Sequence, residues 1–392
     1  MSIFQQFLFK TPSIHFGNGA ISMLGKEARK LEGQRILLIT GPSIQKAGIL
    51  DKALASLKES SLDVEVNVQG RDTPEPGTHI VEETSRMARE GHFDVIVGLG
   101  GGSILDVAKM TSALMINPGK VRDYFGREKV SRRGKPTIMI PTTSGAGAEV
   151  TKHAIFLDSE AMVKKAVASD ALLPDVAIVD PELTYSCPRE VTAASGIDAF
   201  IHAAEPFVSK NANPITDALS LQAVGIITRW LGAAVADDAD VEARYWMSMG
   251  SLISGMVLNN AGTSLVHAMA YPIGGEFHTP HGISLTVLLV SCFEAILPAR
   301  TDKFVQLAGA MGEPAAGRPA REGARLALDA VTHLLKSADL PASLPEIGIT
   351  DRSKIPRWAV EAHAERRLLG RCARNLTVRD IEKIYARAFE PR

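Results

Sequence analysis

The sequence predicts an α/β domain followed by an all-helical domain, because strand-like and helix-like segments alternate only in its first half. Arg35–Thr40 and 93–99 are short, apolar, β-prone runs, and Asp63–Val68 alternates polar and apolar residues with period two. Between them, residues 47–60 and 78–90 repeat apolar side chains at helical spacing. Repeated strand–helix order of this kind is typical of a parallel sheet with helices on both faces.

Two further strand-like runs, Thr137–Pro141 and 176–181, extend the α/β pattern, and each ends in proline. Beyond these two runs the residue pattern changes. Alanine-rich segments with helical periodicity run from 193 to 389, without convincing strand runs. We therefore expect an α/β domain over residues 1–185 and a helical domain over residues 186–392.

The composition excludes several classes of protein. The chain has 43 basic and 44 acidic residues, so it lacks the positive excess of a protein that binds nucleic acid or an anionic membrane. Cys187, Cys292 and Cys372 are too few and too widely spaced for a disulfide framework or a thiolate zinc site, which indicates a reducing, cytoplasmic setting. We see no signal-peptide pattern and no uninterrupted apolar segment of about 18 residues, so we expect no membrane span.

A glycine cluster directly follows one of the predicted strands. Residues 98–103 read GLGGGS and precede a predicted helix at 104–116. Glycines let a backbone turn sharply and approach a ligand, and the N–H groups at a helix start bind anions. Asp106, expected in the first turn of this helix, suits the positive end of the helix dipole. The cluster predicts a phosphate site, although a tight strand-to-helix turn has the same pattern.

A second cluster of small residues and hydroxyls, PTTSGAGAE at 141–149, follows the next predicted strand. Such residues can line a cofactor cleft and donate hydrogen bonds, although a flexible loop has a similar composition. Because α/β folds bind ligands at the carboxyl ends of their strands, the two loops together predict a cofactor site.

One aspartate and three histidines in the second half form a candidate metal site. Asp198 and His202 are four residues apart, which places both on one face of a helix. His267 lies in a helix-like stretch, and His281 lies in a loop or at a helix start. Three imidazoles and a carboxylate suit zinc or ferrous iron. Spacing alone favours a simpler interpretation, in which Asp198 is an N-cap and His202 lies on a helix face.

A series of motifs over nearly the whole chain resembles those of the iron-containing (group III) alcohol dehydrogenases. They stand here as IHFGNGA (14–20), GGGSILDVAK (100–109), PTTSGAGAEVT (141–151), GIDAFIHAAE (196–205), HAMAYPIGG (267–275) and PHG (280–282). The second is similar to the family's GGGSxxDxAK signature and the fourth to its GMDAxxHAxE segment. The third is similar to PTTxGTGSEVT, from which Ala146 and Ala148 depart.

The resemblance implies an N-terminal Rossmann-like dinucleotide-binding α/β domain, a C-terminal all-helical metal-binding domain, and a homodimer. It also implies a metal-dependent oxidoreductase that interconverts a small alcohol and its aldehyde or ketone by hydride transfer to or from NAD or NADP. The metal, Fe²⁺ or Zn²⁺, would polarise the substrate oxygen. The site residues implied are the metal ligands Asp198, His202, His267 and His281, the cofactor-binding residues Gly101, Gly102, Ser103 and Asp106, with Thr142 and Thr143 nearby, and Lys165 or its neighbour Lys164.

The chain departs from the family pattern at Tyr271, where many members carry histidine one helical turn after the ligand His267. Tyrosine donates a hydrogen bond but does not titrate near neutrality. Tyr271 is therefore a poorer catalytic proton relay than histidine would be. His278 could serve in its place, although it is equally well explained as a residue lining the pocket.

A second departure is Gly41, where relatives that prefer NAD often carry aspartate. Glycine removes the repulsion between that carboxylate and a 2′-phosphate, and Ser43 or Lys46 could bind the phosphate. An ordinary tight turn also explains this glycine. We expect NADP to be tolerated, with the preference between the two cofactors left open.

Other functions remain as alternatives at this point. A dehydroquinate-synthase-like lyase has a similar fold and metal site, but its phosphorylated substrate requires clustered basic residues, and the segments around Asp198 and His267 carry none. A maleylacetate-reductase-like or glycerol-dehydrogenase-like role lies within the same superfamily. A nucleotide-binding protein with a decayed metal site is disfavoured because all four ligands are present.

Overall fold

The structure, a computed structural model, describes residues 6–70, 76–158 and 163–391. The chain divides into two compact units. The first spans Lys10–Cys187, and the second comprises Pro188–Arg392 together with the short segment before Lys10. Each unit has its own hydrophobic core, as folding domains do.

The first unit alternates strands and helices. Its strands are β1 Ser13–Phe16, β2 Arg35–Thr40, β3 Asp63–Val68, β4 Val95–Gly100, β5 Gly126–Arg127, β6 Thr137–Pro141, β7 His153–Asp158, β8 Val163–Ala168 and β9 Val176–Val179. Its α-helices are α1 Leu24–Lys30, α2 Pro42–Lys46, α3 Ile49–Glu59, α4 Thr78–Glu90 and α5 Gly102–Ile116. The α/β class expected from the sequence is confirmed.

Six of these strands form one parallel sheet in the order β1-β9-β6-β4-β2-β3. The chain moves outward from β2 to β3, crosses back to β4 and continues in the opposite direction, so the strand order reverses between β2 and β4. Thr40 pairs with Leu99, and Gly100 pairs with Pro141. Three neighbouring strands therefore end together at a switch point, where open α/β sheets bind ligands.

Side chains of the sheet alternate between two cores, one on each face. One core contains Leu37, Ile39, Ile96 and Met139, and the other contains Ile36, Leu38, Val97 and Ile138. A strand buried on both faces is a continuous apolar run, which explains why β2 and β4 could be predicted. Each aliphatic side chain buried in this way contributes roughly 1.5–3 kcal/mol.

Several element boundaries differ from the predictions. Helix α5 begins at Gly102 rather than 104, so Asp106 lies beyond the first turn, and its predicted place at the helix start was wrong. The physical reason is that Gly102 and Ser103 adopt helical geometry although glycine disfavours it. Strand β1 was missed because it is short and partly exposed, and it pairs with β9 far along the chain.

A small second sheet in the order β5-β8-β7 was also missed by the sequence analysis. Strand β7 is antiparallel to β8, and β5 is parallel to β8. Buried Asp158 at the end of β7 accepts hydrogen bonds from Arg122 Nη2 at 2.6 Å and Lys165 Nζ at 3.1 Å. Such charged pairing obscures the apolar alternation by which strands are recognised.

The second unit is helical, as predicted, and contains no strand among the residues described. Its α-helices are α6 Arg189–Phe207, α7 Pro214–Ala236, α8 Val241–Ala261, α9 Leu265–Phe277, α10 His281–Ile296, α11 Thr301–Ala310, α12 Ala320–Ser337, α13 Ile355–Ala364, α14 Arg366–Leu369 and α15 Val378–Arg387. A Cβ added at Gly196 of α6 would lie 2.4 Å from Leu231 and 2.9 Å from Met247. Glycine there allows α7 and α8 to pack closely against α6.

Two helical segments of this unit, Pro214–Ala236 and His281–Ala299, are long and apolar enough to span a membrane by length and composition. In the second, 78% of the apolar window is buried, and in the first 39% is buried. Both supply side chains to the core of the helical unit. A core helix meets the same criterion, so the criterion does not place the chain in a membrane.

Candidate active site

The four predicted metal ligands come together in the helical unit. Asp198 and His202 lie on α6, His267 lies on α9, and His281 is the first residue of α10. Ligand atoms of Asp198, His267 and His281 all lie within 4.8 Å of one another. His202 Nε2 is 3.2 Å from His267 Nε2 and 3.3 Å from Asp198 Oδ1. The N-cap interpretation of Asp198 was wrong, because α6 begins at Arg189.

The donor set fits a divalent transition metal. His267 Nδ1 lies 2.8 Å from the Glu205 carboxylate, so Nδ1 carries the proton of the neutral ring and Nε2 offers a lone pair. The lone pair of His267 Nε2 therefore faces His202 Nε2 and Asp198 Oδ1 at 3.2 and 3.7 Å. Imidazole nitrogens and a carboxylate oxygen in one buried place are the ligands that zinc and ferrous iron use.

Glu205 is a site residue that the sequence analysis did not single out. It is fully buried on α6, and its carboxylate accepts hydrogen bonds from Val266 N at 2.5 Å and from His267 Nδ1 at 2.8 Å. Outer carboxylates of this kind fix the tautomer and orientation of a ligating histidine. A signal was present, since Glu205 follows His202 by three residues and so shares its helix face.

The electrostatics of the site favour a bound cation. Burial raises the pKa of Asp198, but the imidazoles of His202, His281 and His267 more than offset this, so the pKa lies well below its ordinary value. Burial lowers the pKa of His267, but the carboxylates of Asp198 and Glu205 raise it to about 9. The carboxylates around His267 therefore favour positive charge at this place.

The position of His281 depends on close packing at the start of α10. A Cβ added at Gly282 would lie 2.1 Å from the Ala194 carbonyl oxygen of α6, so only glycine allows this approach. Just outside the helix, Thr279 Oγ1 and Ser284 Oγ are 2.5 Å apart and join the preceding loop to the first turn. These contacts hold His281 against the helix that carries Asp198.

The two candidates for a proton relay have different surroundings. Tyr271 is one turn after His267 on α9, is half-buried, and lies close enough to Arg367 for that guanidinium charge to lower its pKa. Burial raises the pKa of Tyr271 above 10, and Arg367 only partly offsets this. His278 is exposed and caps the end of α9 with a left-handed φ of 51°. No local pattern links Arg367, on α14, to Tyr271.

In the α/β unit, the two predicted loops follow neighbouring strands. Gly101 is the N-cap of α5, and Gly102 and Ser103 are its first residues, so their backbone lies at the positive end of a 15-residue helix. The Thr142 N–H donates to the Gly100 carbonyl at 3.0 Å. An added Cβ at Gly101 would be 3.7 Å from the methyl group of Thr143. The loops are therefore adjacent along the strand ends.

The third predicted segment lies on the other side of the switch point. Gly41 follows β2 and is the N-cap of the short helix α2. Its backbone is extended, and because it is glycine it has no side chain at this position. Ser43 and Lys46 of α2 are exposed. Because β2 pairs with β4, Gly41 follows the strand next to that of the GGGS loop.

Asp106 and Lys165 bind groups of the protein itself. The Asp106 carboxylate is 2.8 Å from Lys109 Nζ and accepts a hydrogen bond from Ile155 N at 2.9 Å. Lys165 is exposed, pairs with Asp158 at 3.1 Å and lies over the Phe125 ring. The segments around Gly41, Gly101 and Thr142 thus lie at the carboxyl ends of neighbouring strands. Asp106 instead binds groups that support these segments.

Two family models match the chain. The model of the iron-containing alcohol dehydrogenases matches residues 11–181, and the C-terminal model of the Fe-containing alcohol dehydrogenase family matches residues 192–389. The chain is also 38% identical over 381 residues to long-chain-alcohol dehydrogenase 1 of Geobacillus thermodenitrificans, an alignment that covers 96% of this chain and 95% of the relative.

Solved structures agree with the family models. A 1,3-propanediol oxidoreductase is similar with a TM-score of 0.94 and 34% identity, over 98% of this chain and 100% of that one. The NAD⁺ complex of sulfoacetaldehyde reductase from Bifidobacterium kashiwanohense is similar with a TM-score of 0.86 and 25% identity, over 97% and 98% of the two chains. The chain therefore belongs to the iron-containing alcohol dehydrogenase family and is an oxidoreductase that interconverts an alcohol and its aldehyde.

Proposed function

We propose that Asp198, His202, His267 and His281 hold a divalent metal at which this oxidoreductase acts on a small alcohol or its aldehyde or ketone. The observation that carries the proposal is the convergence of imidazole and carboxylate ligand atoms in one buried cluster. The family match favours this reaction over a dehydroquinate-synthase-like lyase.

When bound, the metal supplies a Lewis acid for the substrate oxygen, and the nicotinamide supplies the hydride acceptor or donor. The protein orients these groups. Glu205 keeps the Nε2 lone pair of His267 directed at the ligand cluster. The N-terminus of α5, with Gly101, Gly102 and Ser103, binds the pyrophosphate through backbone N–H groups and the helix dipole. Thr142 and Thr143 line the same site from the neighbouring strand end.

We assign the hydroxyl proton of the substrate to Tyr271 rather than His278. Tyr271 lies on the helix face of His267, and its neutral hydroxyl can donate its proton to the substrate oxygen during carbonyl reduction, with the charge of nearby Arg367 balancing the phenolate that remains. His278 lies in an exposed cap, so water reaches it freely. Asp106 acts on the loop backbone rather than on the pyrophosphate, because Lys109 and Ile155 already occupy its oxygens. Lys165, or Lys164, remains a candidate for the cofactor cleft.

Both Fe²⁺ and Zn²⁺ suit the ligand set, and we propose iron on the strength of the family. NAD is the cofactor in the complex of the sulfoacetaldehyde reductase. We propose that this chain also accepts NADP, because Gly41 places no carboxylate at the end of β2 and Ser43 and Lys46 are exposed nearby.

We further propose a cytoplasmic homodimer in which the boundary between the two domains of each chain falls near residue 185 of the sequence. The cytoplasmic setting is supported by three buried cysteines that form no disulfide among the described residues, and the dimer by the family resemblance. The boundary is supported by the division of the chain into compact units, of which one ends at Cys187 and the other resumes at Pro188.

A spectrophotometric screen tests the function. Protein reconstituted with Fe²⁺ or Zn²⁺ is assayed for oxidation of NADH and NADPH with short aldehydes, and chelator-treated protein is the control. We expect aldehyde-dependent oxidation that the chelator abolishes and that added metal restores. Oxidation that persists in demonstrably metal-free protein would contradict the metal mechanism. No turnover with any aldehyde, despite bound metal and nucleotide, would favour the lyase or a specialised oxoacid substrate.

A further inference from the structure

A fully buried lysine lies beside the two nucleotide loops and has no part in the chemistry described above. Lys109 is on α5, and none of its side chain is exposed to solvent. Removing an ammonium group from water is costly unless its N–H donors are hydrogen-bonded and its charge is balanced. The groups around Lys109 therefore indicate what it does.

Lys109 binds main-chain oxygens of a single segment. Its Nζ donates to the carbonyl oxygens of Ala148 at 3.0 Å and Thr151 at 3.4 Å, and to that of His153. It is also 2.8 Å from Asp106 Oδ1. Three N–H donors thus serve four oxygens, and three of these oxygens belong to the backbone that follows the second loop.

Asp106 binds the same segment a little further along the chain, at Ile155. Asp106 and Lys109 are three residues apart on one face of α5, and the other carboxylate oxygen, Oδ2, accepts a hydrogen bond from Ile155 N at 2.9 Å. Two neighbouring side chains of α5 thereby fix four backbone groups between residues 148 and 155.

The other end of the second loop is fixed by the sheet. Gly100 and Pro141 are paired in the ladder, and the Thr142 N–H donates to the Gly100 carbonyl at 3.0 Å. Between these ends, the loop packs against α5, since an added Cβ at Gly102 would be only 3.2 Å from Ala146 Cβ. Residues 142–147 are therefore held at their start by the sheet and at their end by Asp106 and Lys109.

We propose that Lys109 is a positioning residue that fixes the second loop, 142–147, at the distance from the GGGS loop that a dinucleotide requires. This inference rests on the proposed function, in which the two loops bind the pyrophosphate together. Lys109 acts through the carbonyl groups of Ala148, Thr151 and His153. A simpler role would be that of a counter-charge for Asp106, and the two roles differ in what happens when both charges are removed.

The experiment compares Lys109→Met, Asp106→Asn and the double variant in the metal-loaded enzyme. The Kd for NADH is measured by fluorescence, and the KM for NADH and kcat are measured with an aldehyde. We expect Lys109→Met to raise Kd and KM about tenfold, with kcat at saturating NADH changed much less, because the lost contacts position the cofactor. We expect the double variant to keep this defect, since it lacks the carbonyl contacts.

A matched control is available in the helical unit. Lys303 is also a buried lysine, paired with Asp217 and lying 4.0 Å from the centre of the Phe207 ring. Lys303→Met should lower the melting temperature, as loss of a buried ion-pair partner does, and leave the Kd for NADH unchanged. This control separates a general loss of stability from a specific effect on the cofactor site.

The outcomes are distinguishable. If the wild-type enzyme binds no dinucleotide, the proposed function fails. If the wild-type enzyme binds NADH and Lys109→Met binds it equally well, the inference is overturned even when the melting temperature falls. If Lys109→Met does not fold, the double variant decides, because it leaves no unpaired buried charge. If the double variant has the wild-type Kd for NADH, Lys109 is only a counter-charge for Asp106. If its Kd for NADH is raised about tenfold, the inference is supported.

Discussion

The proposed metal cluster and the two loops proposed to bind the nucleotide are built in opposite ways. The cluster in the helical unit uses side chains from α6, α9 and α10, which converge on one buried place. The loops in the α/β unit use mainly the backbone, at the ends of neighbouring parallel strands and at a helix N-terminus. A site made of a few side-chain atoms should fail when one of them is removed. A site made of backbone groups should weaken gradually, because no single side chain supplies it.

The largest expected effect is at a proposed metal ligand. His267→Ala removes a ligand and leaves the buried carboxylates of Asp198 and Glu205 without their imidazole, so metal content should fall to background and activity by about 10³-fold or more. Metal analysis and aldehyde-dependent oxidation of NADH check this. His278→Ala, at the exposed end of the same helix, is the control and should retain its metal. Full metal occupancy in His267→Ala would remove His267 from the ligand set.

A smaller loss of metal affinity is expected at Glu205, which contacts a proposed ligand rather than the metal. Glu205→Gln keeps an oxygen for the Val266 N–H but loses the charge that orients His267, so metal affinity should fall about 10–100-fold. Competition with a coloured chelator measures this. Glu276→Gln is the control on α9, because Glu276 binds Lys354 and Trp358 on a different face of the structure. Equal losses in both variants would mean that Glu205 serves stability alone.

Proton competition should give the metal centre a pH dependence. The ordinary pKa of histidine, 6.5, is raised to about 9 at His267 in the absence of metal, and a metal binds only the deprotonated ring. Apparent metal affinity should therefore rise about tenfold per pH unit up to pH about 9 and then level off. Metal titrations at several pH values test the slope. An affinity that is flat across this range would show that His267 is already neutral.

The smallest effect is expected at Gly41, in the part of the molecule proposed to bind the cofactor mainly through its backbone. Gly41→Asp adds a carboxylate at the end of β2, which would repel a 2′-phosphate and leave the pyrophosphate site unchanged. We expect the preference for NADH over NADPH to rise about tenfold, which is about 1.4 kcal/mol. The ratio of kcat/KM for the two cofactors measures it. Gln45→Asp, an exposed substitution on α2, adds the same charge and should change the ratio far less.

The comparison also explains which parts of the site could be predicted. Asp198 and His202 share one helix face, so their relationship is visible in the local sequence. His267 and His281 lie far along the chain, and no periodicity joins them to α6; only the family motifs did so. The glycine loop was recognisable because both its strand and its helix have strong local patterns.

The contacts that were missed depend on folding at a distance. Lys109 binds the carbonyl of His153, and the Arg367 charge acts on Tyr271, only because separate elements pack together. Strand β1 is recognisable only beside β9. The family motif that contains Asp106 likewise gives no sign of its contacts with Lys109 and with the Ile155 N–H. Local patterns identify elements, and packing decides the partners of each side chain.

Because the proposed metal ligands come from three helices, metal binding would affect the stability of the enzyme in a cell. A metal that binds only the folded helical unit stabilises it by an amount that grows with the free metal concentration. Enzyme made during metal starvation would unfold more often and be exposed to proteases, and a small change in stability alters steady-state abundance several-fold. The amount of this enzyme should thus follow the supply of its metal, without any change in the expression of its gene.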